Sequence, residues 1–242
     1  MREEAAARVK GIMDGFFSLF YPSPCACCGR YIKDFIGMYI CASCYNAISP
    51  IPAVSCVKCG KPLDTAALEE CGECGVYKKL FSVVRQAGLY EKGLKELVWL
   101  LKFSGKKEAA RVLAKLIMNS KAAALFEGAG LIVPVPMAEQ ARRERGYNHT
   151  ELLASILSGQ TSVKMSRCLV KVRETAPQNS LERRERIMNL KRAFKAIKPV
   201  NGFVVVVVDD VYTTGATMNE AARALLEAGA KEVRGAAAAR AV

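Results

Sequence analysis

Five consecutive valines, Val204 to Val208, run directly into Asp209 and Asp210, and no other stretch narrows the folding choices of this chain so far. The run is too short for a membrane span and too β-branched for a helix. It reads as a strand buried on both faces, the kind a parallel sheet requires. Two carboxylates stand at its carboxyl end, where open α/β sheets place their ligands. Val211, Tyr212, Thr213, Thr214, Gly215, Ala216 and Thr217 follow, a hydroxyl-rich loop around one glycine. Met218, Ala221, Ala222, Leu225 and Leu226 then recur at helical spacing. Free amides at a helix start, aided by the helix dipole, cradle an anion. Carboxylates repel phosphate but accept hydrogen bonds from paired sugar hydroxyls. Diol acceptors beside a phosphate cradle describe a site for a ribose 5-phosphate. A magnesium-binding strand of a P-loop nucleotidase is the competing reading, but its glycine-lysine loop is missing. Gly60-Lys61 and Gly105-Lys106 are not followed by Ser or Thr.

Charge divides the chain. The whole carries a formal +13, yet residues 1–74 hold seven Lys/Arg against eight Asp/Glu, and residues 75–242 hold 29 against 15. The second part therefore favours polyanionic ligands. At the start, Glu3, Glu4 and Asp14 interrupt the apolar residues Ile12, Phe16, Phe17, Leu19 and Phe20. That pattern argues against a secretory signal and for an amphipathic helix over residues 1–24, ending at the prolines Pro22 and Pro24. No apolar run approaches the ~18 residues of a transmembrane helix. The expectation is a cytoplasmic protein without membrane insertion.

Eight of the ten cysteines form four C-x-x-C pairs: Cys25/Cys28, Cys41/Cys44, Cys56/Cys59 and Cys71/Cys74. Two residues between thiolates let both reach one tetrahedral metal from a tight turn, and Gly29, Gly60, Gly72 and Gly75 lie in or beside these turns. Near-equal spacers predict two structural Zn²⁺ ions in a double ribbon over 25–80. Spacing allows sequential or alternating pairing; we expect sequential. Disulfides do not suit a cytosolic chain. Cys27 reads as a spectator and Cys168 as a small apolar residue in a strand.

Near residue 80 the pattern changes, and a second domain is expected over 81–242. Val83 to Tyr90 reads as a strand. Leu94, Leu97, Val98 and Leu101, then, beyond Gly105, Ala109, Val112, Leu113, Leu116 and Ile117, follow at helical spacing. Lys95, Lys102, Lys106 and Lys107 are assigned to the exposed faces of these helices. Leu131 to Pro136 is a second buried strand, whose prolines give it an irregular end facing a cleft. Arg142, Arg143, Arg145, Gly146, Tyr147, Asn148 and His149 open the next helix. Arg173, Thr175 and Gln178 precede Arg183, Arg184, Arg186 and Asn189. Residues 135–200 hold fourteen basic side chains against six acidic ones. Arginine suits bidentate phosphate recognition. His149, the only histidine, reads as polar lining of the Arg145–Asn148 segment.

The Val204-to-Thr217 stretch resembles the phosphoribosyl pyrophosphate (PRPP) loop of type I phosphoribosyltransferases. With the paired C-x-x-C turns, V-P-V-P, R-x-x-R-G-Y-N, R-x-T-x-x-Q and R-x-x-N, nearly the whole chain resembles the competence protein F family. The resemblance implies an α/β type I phosphoribosyltransferase fold, mostly parallel sheet with flanking helices, behind a small Cys-rich zinc-ribbon domain. It implies that Asp209 and Asp210 hold the ribose hydroxyls and that Tyr212, Thr213, Thr214, Gly215, Ala216 and Thr217 cradle the 5-phosphate. Val135 and Pro136 would face the pyrophosphate, with Arg142, Arg145, Asn148, Arg173, Thr175, Gln178 and Arg186 near the cleft. Tyr147 replaces the usual Phe, and His149 stands where Gln is common. Transfer of the phosphoribosyl group with Mg²⁺ is implied, as is a link to DNA uptake. Single-stranded DNA, a DNA-uptake helicase or a processing protein are the partners to expect, with aromatic stacking minor because only Tyr147 and Phe194 lie within 135–200. The acceptor and the oligomeric state are not legible.

Overall fold

The computed structural model describes residues 24–32, 39–173, 175 and 188–242. All but the last residue of the expected leader helix, and the motif residues Gln178, Arg183, Arg184 and Arg186, lie outside them. Two short helices come first, α1 (Ala42–Asn46) and α2 (Gly72–Val76), each beginning just after a cysteine. Then follow β1 (Val83–Leu89), α3 (Lys92–Phe103), α4 (Ala109–Met118), a 3₁₀ turn (Lys121–Phe126) and β2 (Leu131–Pro134). Next are α5 (Glu139–Arg145), α6 (His149–Thr161), β3 (Leu169–Lys171), β4 (Phe194–Ala196), β5 (Val204–Tyr212), α7 (Ala216–Glu227) and β6 (Glu232–Arg240). The apolar spacing across 94–117 resolves into two helices because Gly105 adopts a left-handed φ of 67° between them.

The valine run is the interior strand it was expected to be. Four strands in the order β1-β6-β5-β2 form a sheet whose pairs are all parallel. Side chains alternate across a strand, so the valines divide between two cores. Val206 and Val208 join α3, α4 and α6; Val205 and Val207 join α7. All four are fully buried, worth about 1.5–3 kcal/mol each at the usual transfer value.

The cysteine segments are part of these same cores. Cys25, Ile32 and Ile40 belong to the α3-side cluster, and Cys56, Cys59, Cys71, Cys74 and Phe81 to the α7-side cluster. Residues between and within the two ribbons also cover the open edge of β1: Leu89 N donates to Ser49 O at 2.9 Å, and Val84 N to Lys58 O at 2.9 Å. Those bonds occupy backbone groups that would otherwise template association.

Two elements were not read from the sequence. β6 contains Ala236, Ala237, Ala238 and Ala239, a composition that locally favours helix, yet it is an interior strand. It must be slim: a Cβ on Gly235 would meet Met218 of α7 at 2.8 Å and Val84 of β1 at 2.9 Å. The second is β4 (Phe194–Ala196), which pairs antiparallel with β3, the strand expected around Cys168, outside the main sheet. Cys168 is fully buried one residue before β3, in keeping with its small apolar reading.

Candidate functional site

The two cysteine groups repeat one geometry. Cys25 N donates to Arg30 O at 2.8 Å and Cys56 N to Lys61 O at 2.7 Å, while Gly29 N and Gly60 N each return to the first cysteine's carbonyl at 2.8 Å. Both glycines sit at positive φ, 70° and 71°, which closes the turn that points two sulfurs the same way. The second pair of each group comes from the start of a short helix, with Cys41 and Cys71 as its N-caps. The four sulfurs of Cys25, Cys28, Cys41 and Cys44 all lie within 4.8 Å of one another, as do those of Cys56, Cys59, Cys71 and Cys74. The sequential pairing is the one adopted. No cysteine is in a disulfide.

The donor sets fit zinc. A Zn–S bond near 2.3 Å implies a sulfur–sulfur edge of about 3.8 Å in a regular tetrahedron. Cys28 and Cys41 sulfurs are 3.9 Å apart, and those of Cys59 and Cys71 are 3.7 Å apart. A second sign is the guanidinium of Arg240, one of the largest fully buried side chains. It donates to Cys59 O at 2.9 Å and lies over the Tyr212 ring at 4.9 Å, and no carboxylate pairs with it among the described residues. A buried cation needs a counter-charge. Four thiolates around Zn²⁺ carry a net negative charge and supply one. Four sulfur ligands leave no open position, so the role is structural.

The second site forms where β5 and β2 end together. Val135 N donates to Val208 O at 2.9 Å, which sets the irregular exit of β2 beside the two carboxylates. Asp209 and Asp210 are both buried, and each takes a backbone donor: Asp210 N to Asp209 Oδ1 at 2.9 Å, and Val211 N to Asp210 Oδ1 at 2.6 Å. Their environments then diverge. Lys102 Nζ stands 2.6 Å from Asp210 Oδ2 and His149 Nε2 stands 2.9 Å from the same oxygen. Burial pushes Asp210 up, but Lys102 and His149 outweigh it and hold the carboxyl well below its usual range. Asp209, raised by burial and then by the charge of Asp210, is pushed up to about 7.

Two assignments are corrected here. Lys102 is not on an exposed face: its side chain crosses from α3 to the end of β5. His149 does more than line a loop, since its two ring nitrogens have different tasks. Arg145 Nη1 lies 2.9 Å from Nδ1, and a guanidinium only donates, so Nδ1 accepts and Nε2 carries the proton toward Asp210. No local signal could have revealed the contacts of Lys102 and His149 with Asp210, because each joins residues far apart in the chain.

Beyond the carboxylates, the loop turns into α7 at Gly215, whose φ is 76°. A Cβ there would collide with the Tyr212 hydroxyl. Thr214 Oγ1 accepts from Ala216 N at 3.3 Å. The dipole of this twelve-residue helix adds partial positive charge at its start. Tyr212 serves this loop from below, its ring buried edge-on to Phe81 at 6.4 Å.

The other motif residues spread around this centre. Asn148 caps α6, accepting from Thr150 N at 3.0 Å, and donates to Val135 O at 3.3 Å, where Thr150 Oγ1 also donates at 2.6 Å. Pro136, Arg142 and Asn148 line a cavity of about 180 Å³ with Arg167 and Lys171. Arg142 faces Glu151 at 3.6 Å. Arg173 donates to the carbonyls of Asn189 and Lys191 at 2.7 and 3.0 Å, and Thr175 Oγ1 accepts from Lys171 at 2.6 Å. The structure therefore brings Arg145 to the carboxylates through His149, while Arg142, Arg173 and Thr175 engage other partners.

A parallel sheet with carboxylates and a helix-start cradle at its carboxyl edge, packed against a pair of four-cysteine centres, defines a type I phosphoribosyltransferase domain with an N-terminal double zinc ribbon. Family models agree: residues 145–241 match the phosphoribosyl transferase domain and residues 16–75 the double zinc ribbon domain. The chain is 35% identical over 201 residues to the DNA utilization protein YhgH of Salmonella typhi, covering 81% of this chain and 87% of that one. It is 31% identical over 203 residues to competence protein F of Haemophilus influenzae, with the same coverage, and 26% identical over 196 residues to competence protein ComFC of Bacillus subtilis, covering 78% and 79%. Among solved structures it is similar to glutamine PRPP amidotransferase from B. subtilis, with a TM-score of 0.40, 20% identity, and coverage of 58% of this chain and 30% of that one. The chain belongs to the competence protein F family. No helix among the described residues is long and apolar enough to cross a membrane.

Proposed function

We propose that this chain binds PRPP with Mg²⁺ and transfers its 5-phosphoribosyl group to an acceptor. The observation that carries the reading is the placement of Asp209 and Asp210 one short loop before the α7 start. That is the spacing a ribose needs between its hydroxyls and its 5-phosphate. Asp209, with a single hydrogen bond on Oδ1, retains capacity to accept from the sugar hydroxyls. The Thr213–Thr217 loop receives the phosphate, and the β2 exit at Val135–Pro136 faces the pyrophosphate. Loss of pyrophosphate from C1 leaves an oxocarbenium-like centre, so the protein's contribution is fixed dipoles and charge around the ribose. Mg²⁺ supplies charge neutralisation on the departing pyrophosphate. Calorimetric titration with Mg²⁺ and PRPP, together with pyrophosphate release in the presence of nucleobases or oligonucleotides, tests the reading. Acceptor-dependent release that disappears in Asp209→Asn is expected; an absence of PRPP binding would refute it.

A second reading, an adaptor for single-stranded DNA, has its own observation. Trp99 and Phe103 stand half-exposed on α3, 6.4 Å apart, with the Arg145 guanidinium 5.4 Å from the Phe103 ring. Stacking surface scarce in residues 135–200 is thus contributed by another helix. The names of the relatives, DNA utilization and competence proteins, agree with this reading. Trp99 is the only tryptophan, so quenching of its emission by an oligonucleotide, lost with increasing salt, would support the adaptor. Unchanged emission at low salt would exclude this surface as a DNA contact.

A further inference from the structure

Lys102 has no part in the sugar-and-phosphate reading, yet it is the strongest electrostatic partner of that site. Asp210 Oδ2 is wholly buried, approached by Lys102 at 2.6 Å and His149 at 2.9 Å, contacts closer to ion pairing than to aligned hydrogen bonds. Oδ1 already accepts from Val211 N. The two adjacent acids are therefore not equivalent. A ribose hydroxyl can reach Oδ2 of Asp210 only by displacing a lysine from α3 or a histidine from α6. Asp209 has no such cation of its own among the described residues, and its one hydrogen bond is to its neighbour's amide.

We propose that Lys102 and His149 are positioning residues that fix Asp210 as a permanent anion, leaving Asp209 as the carboxylate that accepts the ribose diol. The inference rests on the PRPP reading and deepens it. Lys102 also offsets one of two negative charges lying beside an anionic ligand. Arg145 completes the arrangement, because its donation to Nδ1 commits the His149 proton to the Asp210 side. The groups facing Asp210 are Lys102 on α3, His149 on α6 and Asp209 on β5. Tyr90 adds to the field around Lys102, and Glu96 to that around Tyr90. Without Lys102, two neighbouring buried carboxyls share the site and one keeps its proton to higher pH, since like charges so close do not ionise together.

The test uses the full-length zinc-loaded protein and Mg²⁺–PRPP as probe, with zinc content and thermal midpoint as checks on folding. Lys102→Gln should weaken PRPP binding at neutral pH about tenfold or more, equivalent to about 1.4 kcal/mol. Its affinity should also recover only at higher pH than in wild type, whereas Lys102→Arg should restore much of the loss and the wild-type profile. His149→Gln keeps an N–H donor and should weaken binding less than His149→Leu. Nitrogen-15 chemical shifts of the only imidazole should show Nε2 protonated and Nδ1 bare in the neutral ring. Asp209→Asn should cost more affinity than Asp210→Asn. If the Lys102 variants bind PRPP as wild type does, with an unshifted pH profile, the positioning role is overturned while the PRPP reading survives. If wild type binds no PRPP, both are overturned.

Discussion

Replacing Arg240 by methionine would test whether the second cysteine group is a charged metal centre built into the body of the protein. The guanidinium is fully buried, donates to Cys59 O at 2.9 Å and lies 4.9 Å from the Tyr212 ring centre. Gln86 Nε2 donates to the same carbonyl at 3.0 Å, so the Cys59 turn is held by two side chains from neighbouring strands. Methionine fills similar volume but removes the charge. The lost charge-assisted hydrogen bond costs about 1.5–3 kcal/mol. Loss of the cation over the ring adds about 0.5–2 kcal/mol. A total of about 2–5 kcal/mol corresponds to a fall of about 5–15 °C in thermal midpoint for a chain of this size. The sharper readout is zinc release to a chelating dye. Of the two zinc equivalents, one should become labile in Arg240→Met and the other should leave at the wild-type rate, because Cys25, Cys28, Cys41 and Cys44 pack on the opposite sheet face. Equal release kinetics with an unchanged midpoint would refute the argument that Arg240 is balanced by thiolates. Acceleration of both equivalents would point instead to general loosening.

Three further outcomes are expected. Protein purified without added metal should carry close to two zinc ions by mass spectrometry, and Cys59→Ser should remove one; less than one ion in the wild type would rule out the double centre. Asp209→Asn should alter the pH dependence of folding. The raised carboxyl stabilises the fold at low pH, and that contribution is lost as pH climbs from about 4 towards about 7. The variant lacks the loss, so its stability relative to wild type should rise between about pH 4 and about pH 7 and level off above, and a constant difference in urea unfolding across that window would contradict the assignment. Gly215→Ala places a Cβ at φ 76° against the Tyr212 hydroxyl and should cost about 1–3 kcal/mol, with weaker PRPP binding. A variant as stable as wild type would show that the loop does not need this conformation.

Much of this protein is local and was therefore legible in its sequence. Val204–Val208 had to be an interior strand, because β-branched side chains with no polar face have nowhere else to go. The eight cysteines specified their turns through two-residue spacing, helped in the first turn of each group by a left-handed glycine. The Thr-rich loop specified a helix start. Contacts across the chain followed a different logic. Nothing in Lys92–Phe103 distinguishes Lys102 from an ordinary solvated lysine until β5 brings a buried carboxylate to meet it. His149 likewise acquires its task only when Arg145 and Asp210 stand on either side of the ring. Ala236–Ala239 would favour helix in isolation; a narrow slot between β1, β5 and α7 makes small side chains the ones that fit a strand. Arg240, near the end of the chain, looks solvent-facing until Cys59 closes over it from far upstream. Short-range sterics and hydrophobic period fixed the elements, but the choice of which charges meet in the interior required the folded chain, since only there does removal from water make each pairing obligatory.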